Sequence, residues 1–410
     1  MKSLYNILTY IAAFHLKIIA RFNAKLMLGV TGRAETFNRL NAVISTQDKV
    51  IWFHCASLGE YEQGLPVFEK IKSDNPNHKI VLSFFSPSGY EIKKQVSIAD
   101  VVVYLPLDTK FNANAFLNTI HPELVVFVKY EFWPNYLNEL NKRNIRAVLI
   151  SALFRKDQSF FKFYGAWMRK SLYAFEHIFV QNETSKNLLN KIGYTNVTVS
   201  GDTRFDRVAN QLSMDNELDF IKEFKQDKLC VVAGSTWPED EQLFIEHINA
   251  SPEDLKFIIA PHNIKSQQID SFKKAIQKQT ILFSEKSEAN LKEAQVFIID
   301  TIGILSKIYS YADIAYVGGA MGSTGLHNTL EPAVFGIPII IGKHYTNFPE
   351  AFEMIAQNGL FSISNQAEFD TTLNELILNT QKRLDSGQSN SNYISHNQGA
   401  VVQIAAYLSE

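Results

Sequence analysis

The chain has 410 residues, of which 46% are hydrophobic, so it can form two or three domains with sizeable cores and is not largely disordered. The formal net charge of −2 disfavours a nucleic-acid partner, because the chain as a whole has no basic field. Cys55 and Cys230 lie far apart in apolar stretches, which fits buried thiols in a reducing compartment better than a disulfide or a Cys/His metal site.

The first 45 residues differ from the rest of the chain in hydropathy and charge. Leu4–Ala20 is apolar with a helical period, but His15 and Lys17 interrupt it before it reaches the roughly twenty apolar residues of a membrane span. One-sided positive charge of this kind suits attachment to the anionic cytoplasmic leaflet of a membrane. Five basic residues precede the first acid, Glu35, namely Lys2, Lys17, Arg21, Lys25 and Arg33.

A signal peptide and a helix packed on the first domain are the competing interpretations of this segment. No small-residue cleavage site follows the apolar stretch, which disfavours the signal peptide. We therefore predict that residues 1–45 are a membrane-associated segment. The pattern does not separate a single N-terminal anchor from a helix that lies on the cytoplasmic surface.

Residues 46–212 alternate short β-branched or aromatic runs with amphipathic stretches such as Leu65–Ser73 and Glu183–Ile192. This alternation predicts a Rossmann-like domain, in which helices cover both faces of a parallel sheet. The candidate strands are Val50–Cys55, Ile80–Phe85, Val101–Tyr104, Leu124–Val128, Ala147–Ile150, Ile178–Val180 and Val197–Val199.

Residues 213–388 repeat the alternation after a charged helical stretch near Asp215–Lys228. The predicted fold class is therefore α/β, with two Rossmann-like doubly wound domains facing a central cleft. The polar tract Ser386–Ser395 is predicted to be a hinge, and residues 389–410 a C-terminal segment whose helix, Gln398–Leu408, crosses back to the N-terminal domain. The second set of candidate strands is Leu229–Ala233, Lys256–Ala260, Val296–Ile299, Ile314–Val317 and Ile339–Ile341.

Ligands of open α/β sheets bind beyond the carboxyl ends of the strands, so the loops there are the candidate sites. The turn after the first strand brings Glu60 to the start of a helix, where it is either a favourable first-turn acid or a general base. After the fourth strand, Glu131 is a cap or a ligand contact. Trp133, followed by Pro134, is more typical of a wall than of a chemical group.

Several polar residues follow the later strands. Arg204 lies on the linker between the domains and is either solvated or an anion contact. Ser235 and Thr236 are good helix caps, and their hydroxyl and N–H groups also suit a phosphate. His262, after the next strand, is a satisfied polar group or a contact to a base or phosphate.

A glycine-rich stretch, Val317–Pro332, follows the strand Ile314–Val317. Its glycines allow a sharp turn before a predicted helix, Leu326–Phe335, and such a loop and helix N-terminus form an anion cradle. Asn328 and Glu331 have the spacing of a helix capping box, which competes with a ligand role for the two side chains.

The ordered set of loop motifs resembles the Kdo transferase family, where Kdo is 3-deoxy-D-manno-oct-2-ulosonic acid. The resemblance extends from about Lys49 to about Ile355, and the apolar, basic N-terminus is similar to the membrane-attachment segment of that family. The motifs are Ala56–Glu60, Ser86–Gly89, Tyr104–Asp108, Tyr130–Asn135, Gly201–Asp206, Gly234–Thr236, Asp300–Gly303, Ala312–Asp313, Gly318–Gly319, Gly325–Pro332 and Asn347–Phe348.

The resemblance implies an inverting GT-B glycosyltransferase that needs no metal or other cofactor. It implies CMP-Kdo as donor, a lipid A precursor (lipid IVA) as acceptor, and a place on the cytoplasmic side of the inner membrane in lipopolysaccharide biosynthesis. Glu60 matches the catalytic base, Arg204 joins it in the catalytic set, and Glu331 matches the contact to the ribose of CMP. The acceptor side comprises Ser57, Gly59, Glu131 and Trp133, and the donor site comprises Ser235, Thr236, Pro261, His262, Gly318, Gly319, Gly325, His327, Asn328 and Glu331.

This chain departs from the family pattern at four places. Pro261 is followed by His262 where the family has Arg, so a permanent charge becomes one that depends on pH. Arg204 replaces Lys, Trp237 replaces His, and Ser151–Leu153 replaces Asn-Ala-Arg. The reaction class is unaffected, whereas individual donor and acceptor contacts are open to change. The alternative functions are another GT-B enzyme, a UDP-sugar transferase or epimerase, and a non-catalytic membrane-bound nucleotide-binding module.

Overall fold

The computed structural model describes residues 2–95 and 98–409. The chain divides into two compact units. Unit 1 comprises the residues up to Arg207 together with those from Gln398 onward, and unit 2 comprises Val208–Asn397. Both cysteines are buried free thiols, one in each unit.

Unit 1 is built on a seven-stranded parallel sheet with the strand order β3-β2-β1-β4-β5-β6-β7. Apolar side chains fill the strands on both faces, as expected for a sheet that helices cover on both sides. The sheet therefore confirms the Rossmann-like pattern of the sequence. The strands are β1 (Val50–Cys55), β2 (Lys79–Phe84), β3 (Val101–Tyr104), β4 (Leu124–Val128), β5 (Arg146–Ala152), β6 (His177–Val180) and β7 (Val197–Val199).

In the described part of unit 1, ten α-helices begin before the second sheet starts. They are α1 (Lys2–Ile19), α2 (Ala24–Ala34), α3 (Thr36–Val43), α4 (Leu58–Asp74), α5 (Pro87–Lys93), α6 (Lys110–Ile120), α7 (Pro134–Lys142), α8 (Ala166–Leu172), α9 (Glu183–Lys191) and α10 (Thr203–Asn210). The predicted start of α4 at Leu65 is wrong, because the helix continues through Pro66. Burial of Tyr61, Val67 and Phe68 offsets the roughly 3 kcal/mol that an interior proline costs.

Unit 2 is built on a second seven-stranded parallel sheet, in the order β10-β11-β9-β8-β12-β13-β14. The strands β10 and β14 were not predicted; they are the two edge strands of this sheet, and one residue in each of these three-residue strands is polar. The strands are β8 (Leu229–Thr236), β9 (Leu255–Pro261), β10 (Thr280–Leu282), β11 (Val296–Ile298), β12 (Ile314–Val317), β13 (Ile339–Ile341) and β14 (Leu360–Ser362). The remaining helices are α11 (Asp219–Lys225), α12 (Pro238–Ala250), α13 (Ser266–Ala275), α14 (Leu305–Ile308), α15 (Leu330–Ala333), α16 (Pro349–Ala356), α17 (Gln366–Leu378), α18 (Thr380–Asn397) and, in unit 1, α19 (Ala400–Ser409).

Two predictions about unit 2 are wrong. The predicted helix Leu326–Phe335 is only α15, in which Pro332 lies in the first turn, where its missing N–H costs no intrahelical hydrogen bond. The predicted hinge Ser386–Ser395 lies inside α18. There the buried Asn390 amide donates to two main-chain carbonyls, at 2.7 and 2.8 Å, so tertiary contacts satisfy a polar tract that looked like a linker.

The N-terminal helices of unit 1 expose most of their apolar side chains. Ser3–Phe22 is long and apolar enough to cross a membrane, and little of it is buried. Tyr5 ties α1 to the domain through a 2.6 Å hydrogen bond from its hydroxyl to Asp108. The exposed apolar residues of α1, α2 and their connection are Leu4, Ile7, Leu8, Tyr10, Ile11, Phe14, Ile18, Ile19, Phe22, Leu26, Met27 and Leu28.

The predicted basic cluster of this segment is divided by the fold. Lys17, Arg21 and Lys25 are exposed, whereas the side chain of Lys2 lies outside the described residues. The guanidinium of Arg33 donates to three main-chain carbonyls, including that of Leu105 at 3.0 Å. Arg33 therefore joins α2 to the domain and does not belong to the exposed charge.

Candidate active site

Glu60 is the third residue of α4 and stands at the carboxyl end of β1. Its carboxylate accepts a hydrogen bond from the Ala56 N–H of the preceding turn. Burial, helped by the negative charge of Glu131, raises the pKa of Glu60 from 4.5 to about 7, although the Ala56 N–H and the Lys129 ammonium oppose the shift. A carboxylate with a pKa close to neutrality can accept a proton at the pH at which it has to work.

Glu131 follows β4 and is only 6% exposed. Its Oε2 atom accepts the indole N–H of Trp133 at 2.7 Å and lies 2.8 Å from Nε2 of His54. Trp133 also packs on Phe85 of the loop after β2, with the ring centroids 4.7 Å apart. Trp133 therefore forms a wall, as its sequence context suggests, and also orients a carboxylate.

His54 is a residue of this site that the sequence analysis missed. It lies on β1 with no exposed surface, beside Ser83, which is its partner in the register of β1 and β2. Nδ1 of His54 is 2.8 Å from the Ser83 hydroxyl oxygen. A signal was present in the sequence, because each of two adjacent apolar strands contains a polar residue near its carboxyl end.

The predicted acceptor-side residues Ser57 and Gly59 belong to the same turn as Glu60. Ser57 is the N-cap of α4, but its side chain makes no capping hydrogen bond. A Cβ atom on Gly59 would approach no atom more closely than Ser57 Oγ at 4.0 Å. The fold itself therefore does not require a glycine at position 59.

Arg204 is the second residue of α10, in the same unit. Its Nε atom donates to Asp202 at 2.8 Å, and Asp202 also accepts the side-chain amide of Gln63 at 2.7 Å. The Arg204 side chain remains 35% exposed. Arg204 is thus a partly neutralised cation with a constrained position, rather than a freely solvated one.

In unit 2, three aromatic rings that follow different strands form one cluster. Trp237 and His262 are stacked, with centroids 4.8 Å apart and an interplanar angle of 19°. His327 lies 4.4 Å from the His262 ring and accepts the Trp237 indole N–H at 3.1 Å. Burial, together with the nearby His262, lowers the pKa of His327 to about 4, so this ring is neutral near pH 7.

The glycine-rich loop of unit 2 is held from inside by Asp240. This buried carboxylate accepts the Gly319 N–H at 2.8 Å, the Trp237 N–H at 2.9 Å and the Tyr316 hydroxyl at 2.6 Å. A Cβ atom on Gly318 would lie 2.4 Å from the Ser235 carbonyl, so the two loops touch there.

The predicted anion cradle is therefore wrong in part. The N–H groups of Gly318, Gly319 and His327 all donate within the protein, because the loop packs against the strand edge and cannot direct every donor outwards. Gly319 and Gly325 have φ angles of 94° and 96°, a conformation that glycine adopts readily.

The two residues predicted to be helix caps, Ser235 and Thr236, do not cap α12. Both residues belong to the end of strand β8, and Trp237 is the N-cap of α12. Thr236 is fully buried and donates to Glu241 at 3.2 Å, whereas Ser235 has a φ of 55° at the strand end. Pro261 is the last, buried residue of β9 and positions the exposed His262 that follows it.

Asn328 and Glu331 are paired, but not as a capping box. The Asn328 amide donates to Glu331 at 3.1 Å, and the Ser306 hydroxyl donates to the other carboxylate oxygen at 3.0 Å. The N-cap of α15 is Thr329, and it has no side-chain cap. Each carboxylate oxygen retains acceptor capacity for the hydroxyl of a ligand.

The two sets of candidate residues thus lie in separate units. Unit 1 brings together Ser57, Gly59, Glu60, Glu131, Trp133 and Arg204, and unit 2 holds the donor-site set. Among residues 2–95 and 98–409, no group of three or more His, Cys, Asp or Glu side chains could hold a metal ion.

Sequence comparison finds one related family over the first unit and relatives over most of the chain. A family model described as 3-deoxy-D-manno-octulosonic-acid transferase (kdotransferase) matches residues 31–207. A 3-deoxy-D-manno-octulosonic acid transferase of Haemophilus influenzae is 28% identical over 372 residues, which cover 86% of this chain and 85% of the relative. The protein of the same name from Aquifex aeolicus is 27% identical and covers 80% and 86% of the two chains.

Solved structures share the fold of the chain. The UDP-GlcNAc 2-epimerase of Neisseria meningitidis, bound to UDP-GlcNAc, superposes with a TM-score of 0.62 at 17% identity, over 88% of this chain and all of the other. A UDP-N-acetylglucosamine 2-epimerase from Listeria monocytogenes, described as putative, gives 0.57 at 12% identity, over 88% and 95% of the two chains. At such low identity the likeness concerns the GT-B fold and not the substrate.

Proposed function

We propose that this chain, a glycosyltransferase that moves Kdo in lipopolysaccharide biosynthesis and is similar to Kdo transferases over most of its length, uses CMP-Kdo as its donor and a lipid A precursor as its acceptor. The observation that carries the proposal is Glu60, a half-buried carboxylate at the carboxyl end of β1 whose pKa is raised to about 7. A transfer to a hydroxyl needs a base of this kind, and a non-catalytic binding module does not.

Glu60 is the group proposed to remove the proton of the acceptor hydroxyl. The hydroxyl oxygen forms a bond to the anomeric carbon of Kdo while the bond between that carbon and the phosphate oxygen of CMP breaks. The electron pair of the broken bond leaves with CMP, and the hydroxyl proton goes to Glu60. Attack on the side opposite to the leaving phosphate inverts the anomeric centre.

The ring cluster of unit 2 is the proposed site of the CMP base and phosphate. His262 exposes a ring that is stacked on Trp237, and a planar pyrimidine can pack against such a surface. Glu331, oriented by Asn328 and Ser306, is proposed to accept hydrogen bonds from the ribose hydroxyls. Arg204 is proposed to contact the departing phosphate.

The N-terminal helices are the proposed contact with the cytoplasmic side of the inner membrane. Exposed apolar residues of α1 supply the surface that enters the lipid, and the exposed Lys17, Arg21 and Lys25 supply positive charge beside it. Each such basic residue contributes about 1 kcal/mol at an anionic surface.

Incubation of the purified protein with CMP-Kdo and lipid IVA tests the donor and the acceptor together. Mass spectrometry should detect lipid IVA with added Kdo, and the spectrum also counts the units transferred. Parallel reactions with UDP-GlcNAc test the alternative that the shared fold leaves open. Product from the UDP-sugar alone would contradict the proposed donor.

The membrane contact is tested with the paired substitution Phe14→Glu and Ile18→Glu. We expect binding to vesicles that contain anionic lipid to fall at least tenfold, because two charges would have to enter the apolar region. The matched control is Leu378→Glu, which changes an apolar residue of unit 2 that is 83% exposed. Equal vesicle binding by the α1 variant and wild type would exclude α1 as the contact.

A further inference from the structure

A series of buried polar side chains crosses the sheet of unit 1 from β2 to the loop after β4, where it reaches Glu131. The Trp52 indole N–H donates to the Ser83 hydroxyl oxygen at 2.7 Å. Ser83 Oγ is 2.8 Å from Nδ1 of His54, and Nε2 of His54 is 2.8 Å from Glu131 Oε2. Trp52, His54 and Ser83 have no exposed surface, so water cannot replace any of these partners.

The chemistry of Trp52 determines the direction of these hydrogen bonds. An indole N–H only donates, so Ser83 Oγ has to accept from it and keeps its own proton for another acceptor. The two acceptors within reach are Nδ1 of His54 at 2.8 Å and the Phe53 carbonyl at 3.5 Å. Nδ1 is also nearer to this hydroxyl, at 2.8 Å, than to the Ser83 main-chain carbonyl, at 3.1 Å. The shorter contacts therefore assign the serine proton to Nδ1, which leaves the imidazole proton on Nε2, facing Glu131.

Trp133 completes the arrangement from the other side. Its indole N–H is closer to Glu131 Oε2, at 2.7 Å, than to Nε2 of His54, at 3.1 Å. The carboxylate oxygen therefore receives two donors, one from the indole and one from the imidazole. These two hydrogen bonds hold the carboxylate group of Glu131 in a fixed orientation.

We propose that Trp52, Ser83 and His54 are positioning residues, which hold Glu131 as a charged carboxylate beside the catalytic base Glu60. The inference rests on the proposed function, since it gives a role to the surroundings of that base. The three residues act through Glu131 and do not touch the substrate.

The charged groups that face Glu60 are Glu131 and Lys129, which have opposite effects on its proton affinity. We call the hydrogen-bonded series Trp52, Ser83 and His54 the relay. The negative charge that the relay maintains on Glu131 disfavours the ionised form of Glu60. It makes Glu60 a stronger base than an isolated carboxylate would be.

Removal of the Ser83 hydroxyl should reverse the order of the protons. His54 would then donate from Nδ1 to the main-chain carbonyl of residue 83, which lies 3.1 Å away. The bare Nε2 would face a carboxylate oxygen at 2.8 Å, and two acceptors at that distance repel each other. The pair of His54 and Glu131 would then take up one proton and have no net charge. The effect on Glu60 would be the same as that of removing the charge of Glu131 by substitution.

The tautomer of His54 in the unaltered protein is the first test. Two-dimensional ¹H–¹⁵N spectra of the full chain labelled with ¹⁵N-histidine report which ring nitrogen carries the proton. The His54 signals are assigned through contacts to the Trp52 and Trp133 indole protons. We expect a ring protonated on Nε2 alone, and a ring protonated on Nδ1 or on both nitrogens would overturn the proposal.

The pH dependence of kcat/KM for Ser83→Ala and Ser83→Thr is the second test. The midpoint of the acid limb should move down by about 0.5–1 pH unit in Ser83→Ala, as it should in Glu131→Gln, because Glu60 loses its like-charged neighbour. Ser83→Thr keeps the hydroxyl and should restore the wild-type midpoint. If the Ser83→Ala profile overlies that of wild type, the relay does not act on the base.

The two tests also separate this inference from the proposed function. If Glu60→Gln turned over at the wild-type rate, the base would be misassigned. The His54 tautomer would still report directly on the relay.

Discussion

The candidate site of unit 1 and the ring cluster of unit 2 lie at the carboxyl ends of similar parallel sheets, but they use burial for opposite purposes. In unit 1 burial raises the pKa of Glu60 to about 7, and in unit 2 it lowers the pKa of His327 to about 4. Both shifts favour the uncharged form of the side chain. For an acid the result is a base that titrates near neutrality, and for an imidazole it is a ring that stays neutral.

The two sites also differ in how their key groups are held. Side chains hold Glu131, since an indole and an imidazole converge on one oxygen. In unit 2 the donors are main-chain groups, since the N–H groups of Gly319 and Trp237 donate to the buried Asp240 carboxylate and so fix the glycine loop. Proton transfer depends on the electrostatics of a few side chains, whereas binding of a flat ligand depends on loop shape and ring faces. The predictions below separate these two kinds of dependence.

The largest expected effect belongs to the base. Glu60→Gln should lower kcat by about 10²–10⁴-fold, since an amide cannot accept the hydroxyl proton. The affinity for CMP, measured by calorimetry, should stay within about twofold, because the substitution lies in unit 1. Glu62→Gln is the matched control on the same helix, where Glu62 pairs with Lys93 and Arg207. A loss of kcat as large in the control as in Glu60→Gln would make the effect structural.

The next effect concerns the stability of unit 2. Asp240→Asn should lower the free energy of unfolding by about 2–4 kcal/mol, because one amide oxygen cannot accept all three donors that the carboxylate holds. The exposed neighbour Glu239 provides the control, and Glu239→Gln should change stability by about 0.5 kcal/mol or less. Urea unfolding with separate probes for the two units measures both variants. Equal stability of the two variants would show that Asp240 does not hold the loop.

A smaller effect separates steric contact from backbone strain in the glycine loop. Gly319→Ala introduces backbone strain, because φ is 94°, and also a steric contact, because the new Cβ atom would lie 2.1 Å from the Gly325 carbonyl oxygen. Gly303→Ala has the positive φ of 92° with no atom within 4 Å. The strain alone should cost about 1–2 kcal/mol in each, and the contact should make Gly319→Ala the more damaging for stability and CMP affinity. Indistinguishable variants would mean that the loop relaxes freely.

The smallest effect is a dependence on pH without any substitution. The rate should rise with pH and reach half its maximum near pH 7, because Glu60 works as a base only when ionised. The folded protein binds this proton more tightly than the unfolded chain does. The contribution of Glu60 to stability is therefore complete below about pH 4.5 and is lost as the pH rises to about 7. A pH–rate profile that is flat between pH 6 and pH 8 would contradict a base with this pKa.

Strand positions were predictable because the signal is local. Runs such as β1, β4 and β12 are apolar, β-branched and bounded by turns, and the structure has them with the same limits. The loop residues after those strands were also predictable as candidates, since ligands of open α/β sheets bind at that edge. Glu60 and Glu131 were identified in this way. The sequence left Glu60 as either a favourable acid at a helix start or a general base, and the raised pKa that its surroundings produce supports the base.

Other features depended on contacts between distant parts of the chain. Asn390 is polar in a polar tract, but carbonyls far away in sequence accept its amide and allow a helix there. Arg33 is one of several N-terminal cations, and only the position of the Leu105 carbonyl separates it from the exposed ones. His54 is one polar residue in an apolar strand until the register of β1 and β2 brings it beside Ser83.

The sequence by itself determined two α/β units, the loops that hold the candidate residues, and the resemblance to a family of glycosyltransferases. The tertiary structure alone decided which polar groups are paired, which glycine N–H groups are already committed, and where burial changes a pKa. The physical reason is that periodicity and turn chemistry act over a few residues. Hydrogen-bond partners and desolvation depend on groups that the fold brings together from distant parts of the chain.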